Sequence, residues 1–321
     1  MILSVSRRTD IPAFYSSWFM ERLKAGYVLV RNPYNYHQLS QIPLSPENVD
    51  CIVFWTKYSA PLHIYLDNIK NMGYNFYFHY TITPYSNDIE VNMENKKDVV
   101  MSFQELSSII GSEKVILRYD PVLLNSKYTL EYHIKAFNIL CSKLKGYTNK
   151  VIISFIDDYK TLEYANFKYE KISKNEMENI AEHFSKTAYD NNMVIETCAE
   201  EIDLSKYNIH HTKCIDYDLI EKIIQKPLKK YNSKGNMLYD KTRENCQCLK
   251  CIDIGEYSTC PHNCLYCYAN TSHKLVMKNH KLHNKYSPLL IGELEDNDKI
   301  ISRSEKDTKS LIVENSILNY L

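Results

Sequence analysis

The chain is poor in glycine, with 7 in 321 residues, and has only 2 tryptophans. It contains no low-complexity tract and no long flexible linker. No stretch approaches the about 20 apolar residues of a membrane span, which argues against a transmembrane protein. The start, Met1 to Arg8, puts basic residues after a very short apolar run, the reverse of a secretory signal. A cytoplasmic location is therefore expected. Net charge is also lacking: 39 basic residues balance 39 acidic ones. No global field then draws the chain to DNA, RNA or an acidic membrane. In a reducing compartment the 10 cysteines are not expected to form disulfides, and clustered thiols point to metal binding or catalysis.

What is present is enough apolar residue for a sizeable core. The length allows one large domain or two ordinary ones. Short apolar, β-branched or aromatic runs alternate with amphipathic segments over the first 200 residues. The runs are Ile2–Val5, Cys51–Trp55, Asn75–Tyr80, Lys114–Leu117, Val151–Phe155 and Met193–Glu196. Between them, helices are predicted over Phe14–Ala25, Pro61–Met72, Asp98–Ile110, Leu130–Leu144 and Lys174–Asn191. A repeated β-then-α rhythm implies a parallel sheet with helical crossovers. Six such units predict an α/β fold, a partial or full (β/α) barrel of the TIM type.

In such a barrel the residues after each strand converge on one mouth, where active sites sit. Here they supply Arg7, Arg8 and Asp10, then Lys57, Arg118, Asp120, Asp157 and Glu200. Charged groups are seldom buried unless paired. The set therefore predicts either a cavity for a small charged substrate or a network of internal ion pairs. Arg7, Arg8, Asp10, Lys57, Arg118, Asp120 and Glu200 are the catalytic, substrate-side candidates.

The rhythm stops near residue 225. The chain divides into a barrel-like part (1–225), a cysteine-rich segment (226–286) and a C-terminal tail that packs on the barrel (287–321). Lys226–Arg243 reads as loop, and Ser310–Leu321 as a last helix. The lysines and histidines of 271–285 suit phosphate or nucleic acid, but at neutral net charge a solvated helix face is the better reading.

Cysteines dominate the second segment. Cys260-Pro261-His262-Asn263-Cys264-Leu265-Tyr266-Cys267 carries three thiols within eight residues, which can reach three corners of one cuboidal cluster. Thiolates suit iron–sulfur clusters and zinc alike. Structural zinc normally takes four closed ligands, so a local set of three leaves one metal position open. His262 is read as a loop residue rather than a fourth ligand. A second group, Cys246-Gln247-Cys248-Leu249-Lys250-Cys251, is joined by Cys198 and Cys214. Cys198, Cys214, Cys246 and Cys248 form a candidate four-thiolate site for a second iron–sulfur cluster or zinc, with Cys251 as a substitute ligand. The alternative is a set of inert buried thiols. Cys51 and Cys141 sit in apolar runs and are assigned to the core. Gly255 is read as a turn residue that lets backbone amides approach a cluster sulfur.

Three cysteines spaced by three and then two residues, with an aromatic before the last, resemble the signature of radical S-adenosylmethionine (SAM) enzymes. The continuation Tyr266-Cys267-Tyr268-Ala269-Asn270 is most similar to the spore photoproduct lyase branch. The resemblance implies a [4Fe-4S] cluster on Cys260, Cys264 and Cys267. It implies an open iron that chelates SAM for reductive cleavage, and an external electron donor. Tyr266 would lie near the adenine, with Tyr268 and Asn270 as further cofactor-side candidates. Ser6-Arg7-Arg8-Thr9-Asp10-Ile11-Pro12-Ala13-Phe14, Phe54-Trp55-Thr56-Lys57, Arg118-Tyr119-Asp120-Pro121, Cys198-Ala199-Glu200 and Asp253-Ile254-Gly255-Glu256-Tyr257 also resemble an uncharacterised bacterial family, domain of unknown function 1848.

Two features depart from the radical SAM pattern. The cysteine loop follows the sixth predicted strand instead of the first, and no glycine-rich segment for the SAM methionine moiety is evident. Two other readings stand beside a radical SAM-like enzyme. One is a SAM-independent iron–sulfur enzyme whose open iron is a Lewis acid. The other is a zinc-binding, non-catalytic module. DNA repair, suggested by the lyase branch, lacks a basic stripe to support it.

Overall fold

The computed structural model describes residues 1–157, 167–232, 234–240, 246–303 and 305–313. Eleven strands are described: β1 (Ile2–Val5), β2 (Tyr27–Asn32), β3 (Asn35–Pro43), β4 (Cys51–Thr56), β5 (Phe76–Thr81), β6 (Val115–Val122), β7 (Lys150–Phe155), β8 (Val194–Thr197), β9 (His210–His211), β10 (Cys251–Asp253) and β11 (Lys299–Ser302). The helices among them are α1 (Ile11–Phe14), α2 (Ser16–Ala25), α3 (Ala60–His63), α4 (Leu66–Asn71), α5 (Lys96–Ile110), α6 (Leu130–Leu144), α7 (Lys174–Asp190), α8 (Tyr217–Ile224), α9 (His273–Lys281) and α10 (Glu305–Thr308).

Eight strands form one parallel sheet in the order β10-β1-β4-β5-β6-β7-β8-β9. The strands are apolar on both faces, as expected where both are covered. Side chains alternate across the sheet. One face carries Leu3, Val5, Phe54, Phe78, Leu117 and Ile153, and packs on Trp18, Phe103, Phe137 and Phe184 of the crossover helices. The other carries Ile2, Cys51, Val53, Tyr77, Ile116 and Ile152, and packs on Ile215, Ile220, Leu228 and Leu249. Helix ends follow local chemistry. Asn95 and Thr129 cap α5 and α6, and Ser173 with Glu176 forms a capping box on α7.

The six predicted strands and the alternating helices are present. The expected single helices over Phe14–Ala25 and Pro61–Met72 are each broken in two, at Tyr15 and at Ile64–Tyr65. The sheet is not a closed barrel: its end strands β9 and β10 do not pair. Strands β9 and β10 escape a pattern reading because they are two and three residues long. A second, three-stranded sheet of β11, β3 and β2 was also not expected. Strand β3 buries only Leu39 and Ile42, so it shows no apolar run. The basic stretch after 271 is largely solvated helix face, with Val276 the buried residue of α9. Of the predicted last helix, residues 314–321 lie outside the described residues, and Ile312 forms a β-bridge to Leu228.

Strand β10 brings the cysteine-rich segment into the sheet beside β1. Its Asp253 accepts from the Ser4 hydroxyl (2.7 Å), the Ser6 hydroxyl (2.6 Å), and the amides of Arg7 (2.8 Å) and Gly255 (2.9 Å). Gly255 is needed here for close packing rather than for an approach to sulfur. A Cβ on it would sit 1.9 Å from the Ser6 Oγ and 2.6 Å from the Ser6 Cβ. Gly255→Ala is therefore expected to cost about 1–3 kcal/mol in urea unfolding, the usual range for overpacking. An unchanged midpoint would contradict this tight β1–β10 junction.

Candidate functional site

The carboxyl ends of β1, β4 and β5 meet the cysteine loop. Asp10 joins them. It is 5% exposed. Its Oδ1 caps α1 through the Ala13 amide (3.0 Å) and accepts from the Thr56 hydroxyl (2.8 Å). Its Oδ2 accepts from the Lys57 amide (2.7 Å) and from His262 Nε2 (2.9 Å). Asp10 is thus an internal positioning residue and not a substrate-side group. His262, buried and edge-on to Phe14, pins the cysteine loop to the sheet. Three more bonds fasten the loop to the segment after β5. They are Leu265 N to Ile89 O (2.9 Å), Asn92 N to His262 O (3.0 Å), and Asn92 Nδ2 to Pro261 O (2.9 Å).

Beneath the loop lies a fully buried carboxylate, Glu90. It accepts from Lys57 Nζ (2.6 Å), the Thr83 hydroxyl (2.5 Å), Lys96 Nζ and the Tyr266 hydroxyl. Burial by itself pushes this carboxyl up, but Lys57 and Lys96 outweigh it and hold it down at about 2. Burial also opposes the charge on Lys57, yet Glu90 and then Cys264 keep it above the usual lysine value. The Tyr266 hydroxyl is committed to Glu90, and its ring lies 5.6 Å from Lys57 Nζ. Only its ring is left for a cofactor.

Cys260, Cys264 and Cys267 are half-buried. Burial pushes all three thiols up. Cys260 also feels Asp10 and the other two cysteines, whereas Lys57 favours the thiolates of Cys264 and Cys267. Asn270 Nδ2 donates to Cys260 O (2.9 Å), and the Tyr268 hydroxyl donates to Arg7 O (2.6 Å). Thr9 Oγ1, His262 Nδ1 and Asn270 Oδ1 are buried without a hydrogen-bond partner among the described residues. Also among the described residues, no group of three or more His, Cys, Asp or Glu side chains forms a ready cage for a single metal ion.

The other cysteine group joins the segments after β8 and β9 to the segment before β10, over the sheet face that carries Tyr77 and Ile116. Cys214 Sγ is 2.8 Å from Cys198 Sγ, and Arg118 donates to Cys214 Sγ (2.9 Å). Cys248 Sγ accepts from the amides of Cys214 (3.1 Å) and Ile215 (3.4 Å). Its thiol also contacts those of Cys198, Cys214 and Cys246. Cys251 stands apart, 3.3 Å from an Arg7 nitrogen. Cys51 and Cys141 are core residues.

The predicted mouth residues fall into three neighbourhoods. Asp10 and Lys57 belong to the cysteine loop. Arg7 pairs with Asp240 (2.7 Å), and Arg8 reaches Gly255 O (3.3 Å) and the Tyr257 ring (5.1 Å). Arg118 pairs with Asp120 and lies over the Trp55 ring (5.5 Å). Electrostatic interaction of Asp120 with both Lys57 and Glu200 links the first and third neighbourhoods. The ion-pair reading thus describes most of these charges. Arg8 and Glu200 form no ion pair among the described residues: burial pushes the Glu200 carboxyl up to about 7, with repulsion from Asp157 and Asp120 opposing the bonds from the Phe155 amide (3.0 Å) and the Ser154 hydroxyl. Glu90, Thr83 and Lys96 were missed by sequence reasoning. None belongs to a spaced motif, and nothing in the sequence separates Glu90 from its acidic neighbours Asp88 and Glu94. His79 stacks on Trp55 (4.3 Å), donates to Cys214 O (2.6 Å), and is lowered to about 4, mainly by burial.

These features define an α/β protein with one eight-stranded parallel sheet and a cysteine loop fastened to its carboxyl edge. The family model described as Domain of unknown function (DUF1848) matches residues 2–269, and the chain belongs to that family. No curated protein and no solved structure matches the chain. No helix among the described residues is long and apolar enough to cross a membrane.

Glu200 has a raised pKa in the folded state, so its contribution is fully present below about pH 4.5 and is lost as pH rises through about 7. Between pH 5 and pH 8 the wild type should lose at most about 3 kcal/mol more stability than Glu200→Gln, measured by urea unfolding. Parallel pH profiles for the two proteins would contradict the assignment.

Proposed function

We propose that the chain is an iron–sulfur enzyme of the radical SAM kind, with a [4Fe-4S] cluster on Cys260, Cys264 and Cys267 at the mouth of a partial β/α barrel. The observation that carries this reading is the donor set. His262 is spent on Asp10 and Tyr266 on Glu90. Three thiols from one loop are therefore the loop's own soft ligands, and a set of three leaves one metal position open.

The surroundings fit such a group. Lys57 favours the charged forms of Cys264 and Cys267, which helps thiols lose their protons on binding. Thr9 Oγ1, His262 Nδ1 and Asn270 Oδ1 offer unpaired polar atoms around the loop, suited to the ammonium and carboxylate of SAM. When bound, the cluster and SAM would supply one-electron chemistry fed by an external donor. The chain's own residues orient and exclude. Asp10 fixes the loop against β1 and β4. The Lys57–Glu90–Lys96 network offsets charge beneath the thiols. Glu200, titrating near neutrality, can hold or release a proton beside a small charged substrate. Arg118 and Asp120 flank that position.

Anaerobically reconstituted protein should contain iron and sulfide in equal amounts, about four of each at this loop. Cys264→Ala should lose them. Reduction with dithionite in the presence of SAM should release 5′-deoxyadenosine. Release of none from a fully loaded cluster would favour the SAM-independent enzyme, and zinc bound at these three thiols would overturn the cluster.

A further inference from the structure

We infer that Cys198, Cys214, Cys246 and Cys248 hold one soft divalent ion of the zinc class, which ties the segments after β8 and β9 to the segment before β10. The placement comes from topology. Cys198 follows β8 and Cys214 follows β9, whereas Cys246 and Cys248 precede β10. Strands β9 and β10 are the unpaired ends of the sheet. The thiols therefore come two from each side of the gap. One backbone bond, Leu249 N to Ile215 O (3.0 Å), already joins the two sides beside them.

The chemistry is that of a closed four-thiolate site. Cys248 contacts the other three thiols, and Cys214 and Cys248 are almost fully buried, at 4% and 3% exposure. Four thiolates on a divalent ion carry a net charge of minus two. Arg118, donating to Cys214 Sγ, supplies positive charge, and the Cys214 and Ile215 amides donate to Cys248 Sγ. Such outer hydrogen bonds hold metal-bound thiolates in place. Cys248 touches the other three thiols, so the four can close on one tetrahedral ion with no open position. The set is drawn tightly together, with Cys198 and Cys214 only 2.8 Å apart. Two thiolates on one tetrahedral zinc, at about 2.3 Å each, keep about 3.8 Å between them. Loading the ion therefore spreads this pair and draws in Cys246. That pair is also longer than the about 2.05 Å of a disulfide.

The site shares no ligand with the Cys260–Cys267 loop, so it stands or falls on its own. The experiment uses the full chain with Cys260→Ala, Cys264→Ala and Cys267→Ala combined, purified anaerobically. One zinc per chain is expected. Exchange with cobalt should give the intense thiolate–cobalt absorption of a tetrahedral site. Adding Cys246→Ser and Cys248→Ser should remove that absorption and the zinc. If the added substitutions prevent folding, cobalt titration of the folded triple variant still decides, with saturation expected at one equivalent. Absence of zinc and cobalt from the triple variant, iron with sulfide in their place, or a Cys198–Cys214 disulfide found by mass spectrometry would each overturn the inference.

Discussion

The buried carboxylate of Asp10 is the constraint on which the site rests. Four donors from four places converge on it: the start of α1, the Thr56 side chain, the Lys57 backbone and the His262 ring. A charge this deeply buried is tolerated only when it is fully hydrogen-bonded. Removing any one donor therefore costs more than one bond, because it leaves part of a buried charge unsatisfied. This makes the carboxyl edge of the sheet and the cysteine loop one mechanical unit. The loop is far away in sequence, and His262 on Asp10 and Tyr268 on the Arg7 carbonyl hold it beside the end of β1.

A second dependence runs along β10. A three-residue strand has little intrinsic stability, and its pairing with β1 is reinforced by Asp253, which gathers Ser4, Ser6, Arg7 and Gly255. The face of the sheet opposite the crossover helices is covered by apolar packing of Ile215, Ile220 and Leu249, with the four thiols beside them. The two cysteine groups therefore occupy different mechanical positions. One sits at the carboxyl ends of β1, β4 and β5, and the other joins the segments after β8 and β9 to the segment before β10.

Most of the main sheet was legible in the sequence because its strands are buried on both faces and read as continuous apolar runs. Strand β1 has the expected limits, and α6 does too. In the hairpin β2–β3 only β3 was hidden by polar residues, whereas the apolar run Tyr27–Val30 of β2 went unread; β9 and β10 are too short for any period to show. The consequence was specific. With β10 unseen, the cysteine loop seemed to follow the sixth strand, whereas it follows a strand that neighbours β1. Both cysteine groups were visible in the sequence as candidates, the Cys260–Cys267 loop by its spacing. The partners of the mouth charges were not, since Glu90, Asp240 and Asp253 approach from distant segments that no local pattern links.

The account's central claim is that the Cys260–Cys267 loop carries an iron–sulfur cluster at the carboxyl edge of the sheet. Anaerobic crystals of the reconstituted protein, measured above and below the iron absorption edge, test it most directly. The account predicts an anomalous peak of several irons bonded to Cys260, Cys264 and Cys267, with His262 still on Asp10. Iron density elsewhere, or His262 turned away from Asp10 to ligate a single metal, would contradict it.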